Sequence, residues 1–160
     1  MSPRANVNQP NYRAMAEFRY QIRRFLRFSE RTARDSGLEP QQYQLMLAVK
    51  GLPDGERPRI GDVAERLQIQ HHSTVELVDR LAKRNLVRRR RSEQDRREVF
   101  LELTSKGDRL LQELALHHRS EIREMGPSLV NALKKVLRDS EGGDEGVGRG
   151  VRARAKRVAG

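Results

Sequence analysis

Six arginines stand close together in the chain: Arg88, Arg89, Arg90 and Arg91 in one run, then Arg96 and Arg97 beyond the tetrapeptide Ser92-Glu93-Gln94-Asp95. A guanidinium is planar, permanently charged and shaped for two parallel hydrogen bonds to phosphate. Arginines in such density suit a polyanion's backbone or a narrow minor groove. A run of four also fits a plainer purpose, a solvated strand edge charged against aggregation. Upstream lie Gln70, His71, His72, Ser73 and Thr74, small or polar side chains that can hydrogen-bond base edges. From residue 57 to 97 there are twelve Lys and Arg against six Asp and Glu, a surplus of +6 within the chain's net +11. The charge is therefore concentrated, which sets it apart from a generally basic composition.

Other chemistries find less support. The chain has no cysteine, so disulfides, thiolate metal sites and thiol redox switches are excluded. His71-His72 and His117-His118 invite a metal reading, but adjacent residues on a helix point about 100° apart and chelate poorly. His71 and His72 are expected to face a nucleic acid, and His117 and His118 a surface or a subunit boundary. No phosphate loop, dinucleotide fingerprint or G-x-S-x-G elbow occurs. The reading is a non-enzyme without metal or cofactor. No apolar run approaches the roughly 18 to 20 residues of a membrane span, and residues 1–11 lack the apolar centre of a signal peptide. A cytoplasmic, nucleoid-associated protein is expected.

The elements that must position these residues follow from apolar spacing. Met15, Phe18, Ile22, Phe25 and Leu26 recur at helical intervals, and Gly37 closes that helix. Pro40 opens a second helix, with Tyr43, Met46 and Leu47 on one face. Leu52-Pro53-Asp54-Gly55 is turn chemistry. Val63 to Leu67 reads as a short helix capped by Gly61, and about His72 to Arg84 as another, with Val75, Val78, Leu81 and Ala82 inward. Asn85 suits a left-handed stop. Leu86–Arg91 and Glu98–Leu103 read as two strands of a hairpin, with Val99, Leu101 and Leu103 facing one way. Thr104 can cap a helix running to about Met125. Gly126-Pro127 then interrupts the chain and opens a last helix lined by Leu129, Val130, Leu133, Val136 and Leu137. Short helix, tight turn, helix and hairpin together make a winged helix-turn-helix.

Two runs carry a specific resemblance. Asp79-Arg80-Leu81-Ala82-Lys83-Arg84-Asn85-Leu86-Val87-Arg88-Arg89 resembles the end of the recognition helix and the first wing strand of the MarR family. Asp95-Arg96-Arg97-Glu98-Val99-Phe100-Leu101-Glu102-Leu103-Thr104-Ser105-Lys106-Gly107 is similar to that family's wing signature, D-x-R, alternating apolar residues, then L-T-x-x-G. The resemblance covers roughly residues 12–138. It implies a homodimer held by the terminal helices. It also implies that Arg97 enters the minor groove and that Asp95 fixes the wing by pairing with basic neighbours. Asp also favours plain turn formation, and both roles together are expected of Asp95. Two positions depart from the pattern. Asn85 stands where the family usually has glycine, and Glu76 where many members carry a polar or basic DNA-facing residue. Glu76 is expected to pair with Arg80 four residues on.

The expectations are these. The fold is mainly α with a small β-hairpin wing, a winged helix-turn-helix with a helical dimerisation region from the N- and C-terminal helices. Residues 1–11 form a disordered arm, 12–139 a single domain and 140–160 a disordered Gly/Arg-rich tail. Within the domain the DNA-binding lobe is about 40–104, and the dimerisation helices are about 12–36 and 105–139. The function is that of a transcriptional repressor binding a pseudo-palindromic double-stranded DNA site as a homodimer, with release by a small-molecule effector of unknown identity as an option the family offers and non-specific nucleic-acid compaction as the alternative. The DNA-binding set is Gln70, His71, His72, Ser73, Thr74, Arg80, Arg84, Arg90, Arg91, Asp95, Arg96 and Arg97. Members of the family bind small effectors in a cleft. Arg19, Tyr20, Arg23 and Tyr43 lie in suitable elements, but exposed faces and core aromatics explain them better, and no ligand site is assigned.

Overall fold

The computed structural model describes residues 11–53 and 56–141. The expected arm and tail, and Asp54 and Gly55 of the expected turn, fall outside the described residues, save for Asn11 and the last turn of the final helix. The elements are α1 (Tyr12–Asp35), α2 (Pro40–Lys50), α3 (Ile60–Leu67), α4 (His71–Lys83), β1 (Val87–Arg91), β2 (Val99–Leu103) and α5 (Ser105–Glu141). The architecture is mainly helical with one antiparallel hairpin, as the apolar spacing predicts. By contacts the chain divides into two compact units, residues 26–122 and a second made of the two ends, 1–25 and 123–160.

In the unit 26–122, the core gathers Leu38, Leu45, Met46, Val63, Val78, Leu81, Leu86, Leu101 and Leu114, each almost fully buried. Burying one such leucine or valine side chain stabilises the fold by about 1.5–3 kcal/mol. Helix boundaries follow local chemistry. Gly37 takes a left-handed φ of 75° after α1. Pro40 occupies the first turn of α2, where its missing N–H costs nothing, and the Gln42 side-chain oxygen accepts the Glu39 N–H at 3.1 Å. Helix α3 starts earlier than its apolar pattern suggests. Its cap is Arg59, not Gly61, because the Asp62 carboxylate accepts the Arg59 N–H at 2.9 Å. Asn85 adopts φ 56°, the left-handed stop expected of it.

The hairpin pairs Val87 with Leu103, Arg89 with Leu101 and Arg91 with Val99 on one face, and Arg88 with Glu102 and Arg90 with Phe100 on the other. The other edge of β2 is not bare, because Leu101 N–H donates to the Pro58 carbonyl at 2.8 Å. Thr104 joins three elements. Its hydroxyl oxygen accepts the Gly107 N–H at 3.0 Å, capping α5, and its hydroxyl donates to the Asn85 carbonyl at 2.7 Å.

Two expectations fail here. Pro127 does not open a new helix, because α5 runs unbroken from Ser105 to Glu141 with Pro127 inside it. Proline at that point removes the one N–H that the Arg123 carbonyl would accept, and the bonds on either side carry the helix past it. His118 is not at a surface. It is buried, stacked on Tyr43 with ring centroids 4.6 Å apart and edge-on to Phe28 at 6.1 Å. Its Nδ1 lies 2.9 Å from the Leu114 carbonyl and its Nε2 3.4 Å from that of Ser29. Burial raises the pKa of the Tyr43 hydroxyl.

The second unit combines the first half of α1 with the last part of α5. Ala14, Gln21 and Ala132 are its buried side chains among the described residues. Tyr12, Met15, Tyr20, Val130, Leu133 and Leu137 remain exposed.

Candidate nucleic-acid interface

Helix α4 anchors its inner face through Thr74, Leu77, Val78 and Leu81. This turns the helix slightly from its expected setting. Val75 and Ala82 sit at the rim, half-buried, and Leu77 takes the interior place. Thr74 is corrected accordingly. It is fully buried, its hydroxyl donates to the Gln70 carbonyl at 3.2 Å, and it has no surface left to present to a base. Gln70, His71 and His72 are exposed, and Ser73 half so. The first turn of α4 carries no acidic residue. Its unpaired N–H groups and the positive end of the helix dipole are therefore free to meet an anion.

Further along α4, Glu76 and Arg80 form the expected i,i+4 pair, long at 3.9 Å and mostly exposed. Such a pair contributes little to stability. Arg84 ends the helix, and its Nη1 donates to the Gln42 Oε1 at 3.1 Å. That contact draws Arg84 toward α2, away from the N-terminal tip of α4, so it serves the lobe's structure. His117 is exposed, and its Nδ1 lies 2.9 Å from the Glu113 carbonyl.

On the hairpin, carboxylates divide the six arginines into two groups. Arg88 and Arg90 both meet Glu102, at 3.0 and 3.4 Å. Arg90 also lies 4.0 Å from Glu93. Arg89 meets Asp79 of α4 at 2.7 Å. Arg91, Arg96 and Arg97 have no ion-pair partner among the described residues. These three exposed cations, two in the turn and one at the end of β1 beside it, are the ones ready for phosphate.

The tip is shaped by Ser92 and Asp95. The buried Ser92 hydroxyl oxygen accepts the N–H groups of Gln94 and Asp95 at 3.2 and 3.3 Å. Asp95 Oδ1 accepts the Arg97 N–H at 2.9 Å, and the Asp95 carbonyl accepts that of Glu98 at 2.9 Å. Asp95 makes no ion pair among the described residues. Of the two roles expected of it, it performs turn formation, and pairing with basic neighbours is corrected. It still fixes Arg97, through the backbone.

Reasoning from the sequence did not find the partners of the wing. Asp79 and Glu102 select which arginines stay free, and Arg57 lies 5.4 Å over the Phe100 ring. The Arg88–Glu102 pairing could have been found from the strand alternation and the length of the turn. Of the four residues weighed for an effector, Tyr43 is a core aromatic, and Tyr20 is exposed with Arg24 over its ring at 5.9 Å.

Comparison with known proteins places this geometry. Residues 36–98 match the family model described as MarR family. The chain is 31% identical over 72 residues to the uncharacterized HTH-type transcriptional regulator YsmB of Bacillus subtilis, covering 45% of this chain and 49% of that protein. It is 32% identical over 89 residues to the HTH-type transcriptional regulator MhqR of the same organism, covering 56% of this chain and 59% of that protein. The chain thus spans about half the length of the curated relatives it matches. Among solved structures, AbsC, a MarR family transcriptional regulator from Streptomyces coelicolor, superposes with a TM-score of 0.61 at 24% identity, over 89% of this chain and 99% of that one. At that identity the likeness speaks for the fold alone. Among the described residues, no helix is long and apolar enough to cross a membrane.

Proposed function

We propose that the chain, whose residues 36–98 match the MarR family model, is a transcriptional regulator of that family, binds a pseudo-palindromic double-stranded DNA site as a homodimer and represses transcription there. The observation that carries this reading is the pairing of two different surfaces on one lobe. One is the exposed, uncapped-by-acid start of α4 at Gln70, His71, His72 and Ser73. The other is the hairpin with Arg91, Arg96 and Arg97 exposed and without an ion-pair partner among the described residues. An α-helix start of this kind fits the major groove, where base edges are distinguishable. Free arginines on a hairpin reach the flanking backbone and minor groove. Occlusion of a promoter by such a dimer is repression.

Selection from a random duplex library tests the reading. An inverted repeat with half-sites about one helical turn apart is the expected product. Recovery of no preferred sequence, with equal affinity for a selected duplex and its scrambled version at physiological salt, would instead mark a non-specific binder. Arg97→Ala should weaken binding to the selected site by roughly 1–3 kcal/mol. Unchanged affinity in a titration by fluorescence anisotropy would remove Arg97 from the interface.

A further inference from the structure

We infer that Glu102 is a specificity-determining residue that limits how strongly the hairpin grips DNA of any sequence, by occupying Arg88 and Arg90. The inference rests on the DNA-binding reading above. Strand register sets Glu102 directly opposite Arg88, with Arg90 on the same face of the hairpin. One carboxylate engages both. Glu102 Oε2 accepts from Arg88 Nε at 3.1 Å and lies 3.0 Å from its Nη2, and Oε1 accepts from Arg90 Nη1 at 3.4 Å. Glu102 is the more enclosed member of each pair, 34% exposed against 60% and 57%. A strand holds it in place, so its position does not depend on a mobile loop.

The consequence follows from counterion release. Non-specific affinity for duplex DNA comes almost wholly from cations that displace ions at phosphates, and each contact adds to the salt dependence. An arginine already paired with a carboxylate must give up that pair to contribute. With Arg88, Arg89 and Arg90 so occupied, half of the six hairpin arginines are withheld from an arbitrary duplex. In a non-specific complex the protein is free to settle wherever it makes the most phosphate contacts, so released arginines would be fully used. In a specific complex the helix in the groove fixes the hairpin, and fewer of them would find phosphate. Releasing them therefore raises non-specific binding more than specific binding.

The test measures binding of the full chain to a scrambled duplex by fluorescence anisotropy between 50 and 200 mM salt. Glu102→Gln keeps the shape of the side chain and removes its charge. Freeing Arg88, and leaving Arg90 only its long 4.0 Å contact with the exposed Glu93, should steepen the salt slope by about 2, so affinity should fall about 12-fold further across that range than in the wild type. Glu102→Ala, which leaves no side-chain amide in place of the carboxylate, should do the same. Glu65→Gln removes an equal charge from an exposed site on α3 that pairs with no arginine among the described residues, and its slope should match the wild type. Adding Arg88→Gln and Arg90→Gln to Glu102→Gln should abolish the steepening. Equal slopes for wild type and both Glu102 variants would overturn the inference, and so would equal steepening in Glu65→Gln. Failure of the wild type to bind any duplex would overturn the DNA-binding reading itself, a separate result.

Discussion

A methyl group on Gly107 would lie 2.0 Å from the Leu86 carbonyl oxygen and 2.9 Å from its carbon. Two effects of Gly107→Ala compete. Alanine is the better helix former by about 1 kcal/mol, and Gly107 lies in the first turn of α5. The obstacle, though, is backbone, and it is held where it stands by the Leu86 N–H bond to the Leu81 carbonyl and by the Thr104 N–H. It cannot swing aside as a side-chain tip could. Overpacking of this kind costs about 1–3 kcal/mol, more where backbone must move, and it outweighs the propensity gain. Urea unfolding of Gly107→Ala should show a lowered midpoint. An unchanged or raised midpoint would mean that α5 and the start of β1 can separate without penalty. Individual residues were also where the sequence was hardest to read. Thr74 counts as polar by type, yet its hydroxyl is satisfied four residues back by Gln70, so it packs as an apolar residue would. His118 gave no sign of burial, because Phe28, Ser29 and Tyr43, which enclose it, come from distant parts of the chain.

At the scale of elements, the reading depended on whether the signal was periodic or punctual. Apolar spacing located α1, α2 and α4 and both strands to within a residue or two, because burial of one face is what makes those elements form. Asn85 was legible as a stop because few non-glycine residues accept φ near 56°. Gly126-Pro127 misled for the opposite reason. A local breaker was weighed without the helix on both sides of it, and in a helix of 37 residues the loss of one bond does not force a stop. The cost is still present in the folded state. Pro127→Ala restores the N–H for the Arg123 carbonyl and removes the ring clash. It should raise helical content by circular dichroism and increase stability by roughly 1–3 kcal/mol, within the difference between proline and alanine in helix interiors. A fall in stability would show that the proline ring itself is required by the fold.

At the scale of the molecule, the apolar residues left outside are as informative as the arginines. Val130, Leu133 and Leu137 follow one another at three- and four-residue steps on α5 and are 48%, 39% and 54% exposed, with Tyr12 and Met15 also exposed in the same unit. Scattered exposed leucines need no explanation, but a stripe at helical spacing on one helix is the form of an interface. A second copy of the chain is the occupant that the proposed operator geometry requires, since two recognition helices at a fixed separation need two lobes. Leu133→Glu combined with Leu137→Glu places two carboxylates in that stripe. If the stripe lies between subunits, each buried charge lacks a partner and the dimer is disfavoured by several kcal/mol, whereas in a monomer both carboxylates stay in water at little cost. Analytical ultracentrifugation should then report a monomer for the double variant and a dimer for the wild type. Because the arginines and the start of α4 are untouched, affinity of the variant for a single half-site should persist while its preference for the full inverted repeat is lost. A variant that remains dimeric and keeps that preference would place the subunit contact elsewhere on the chain.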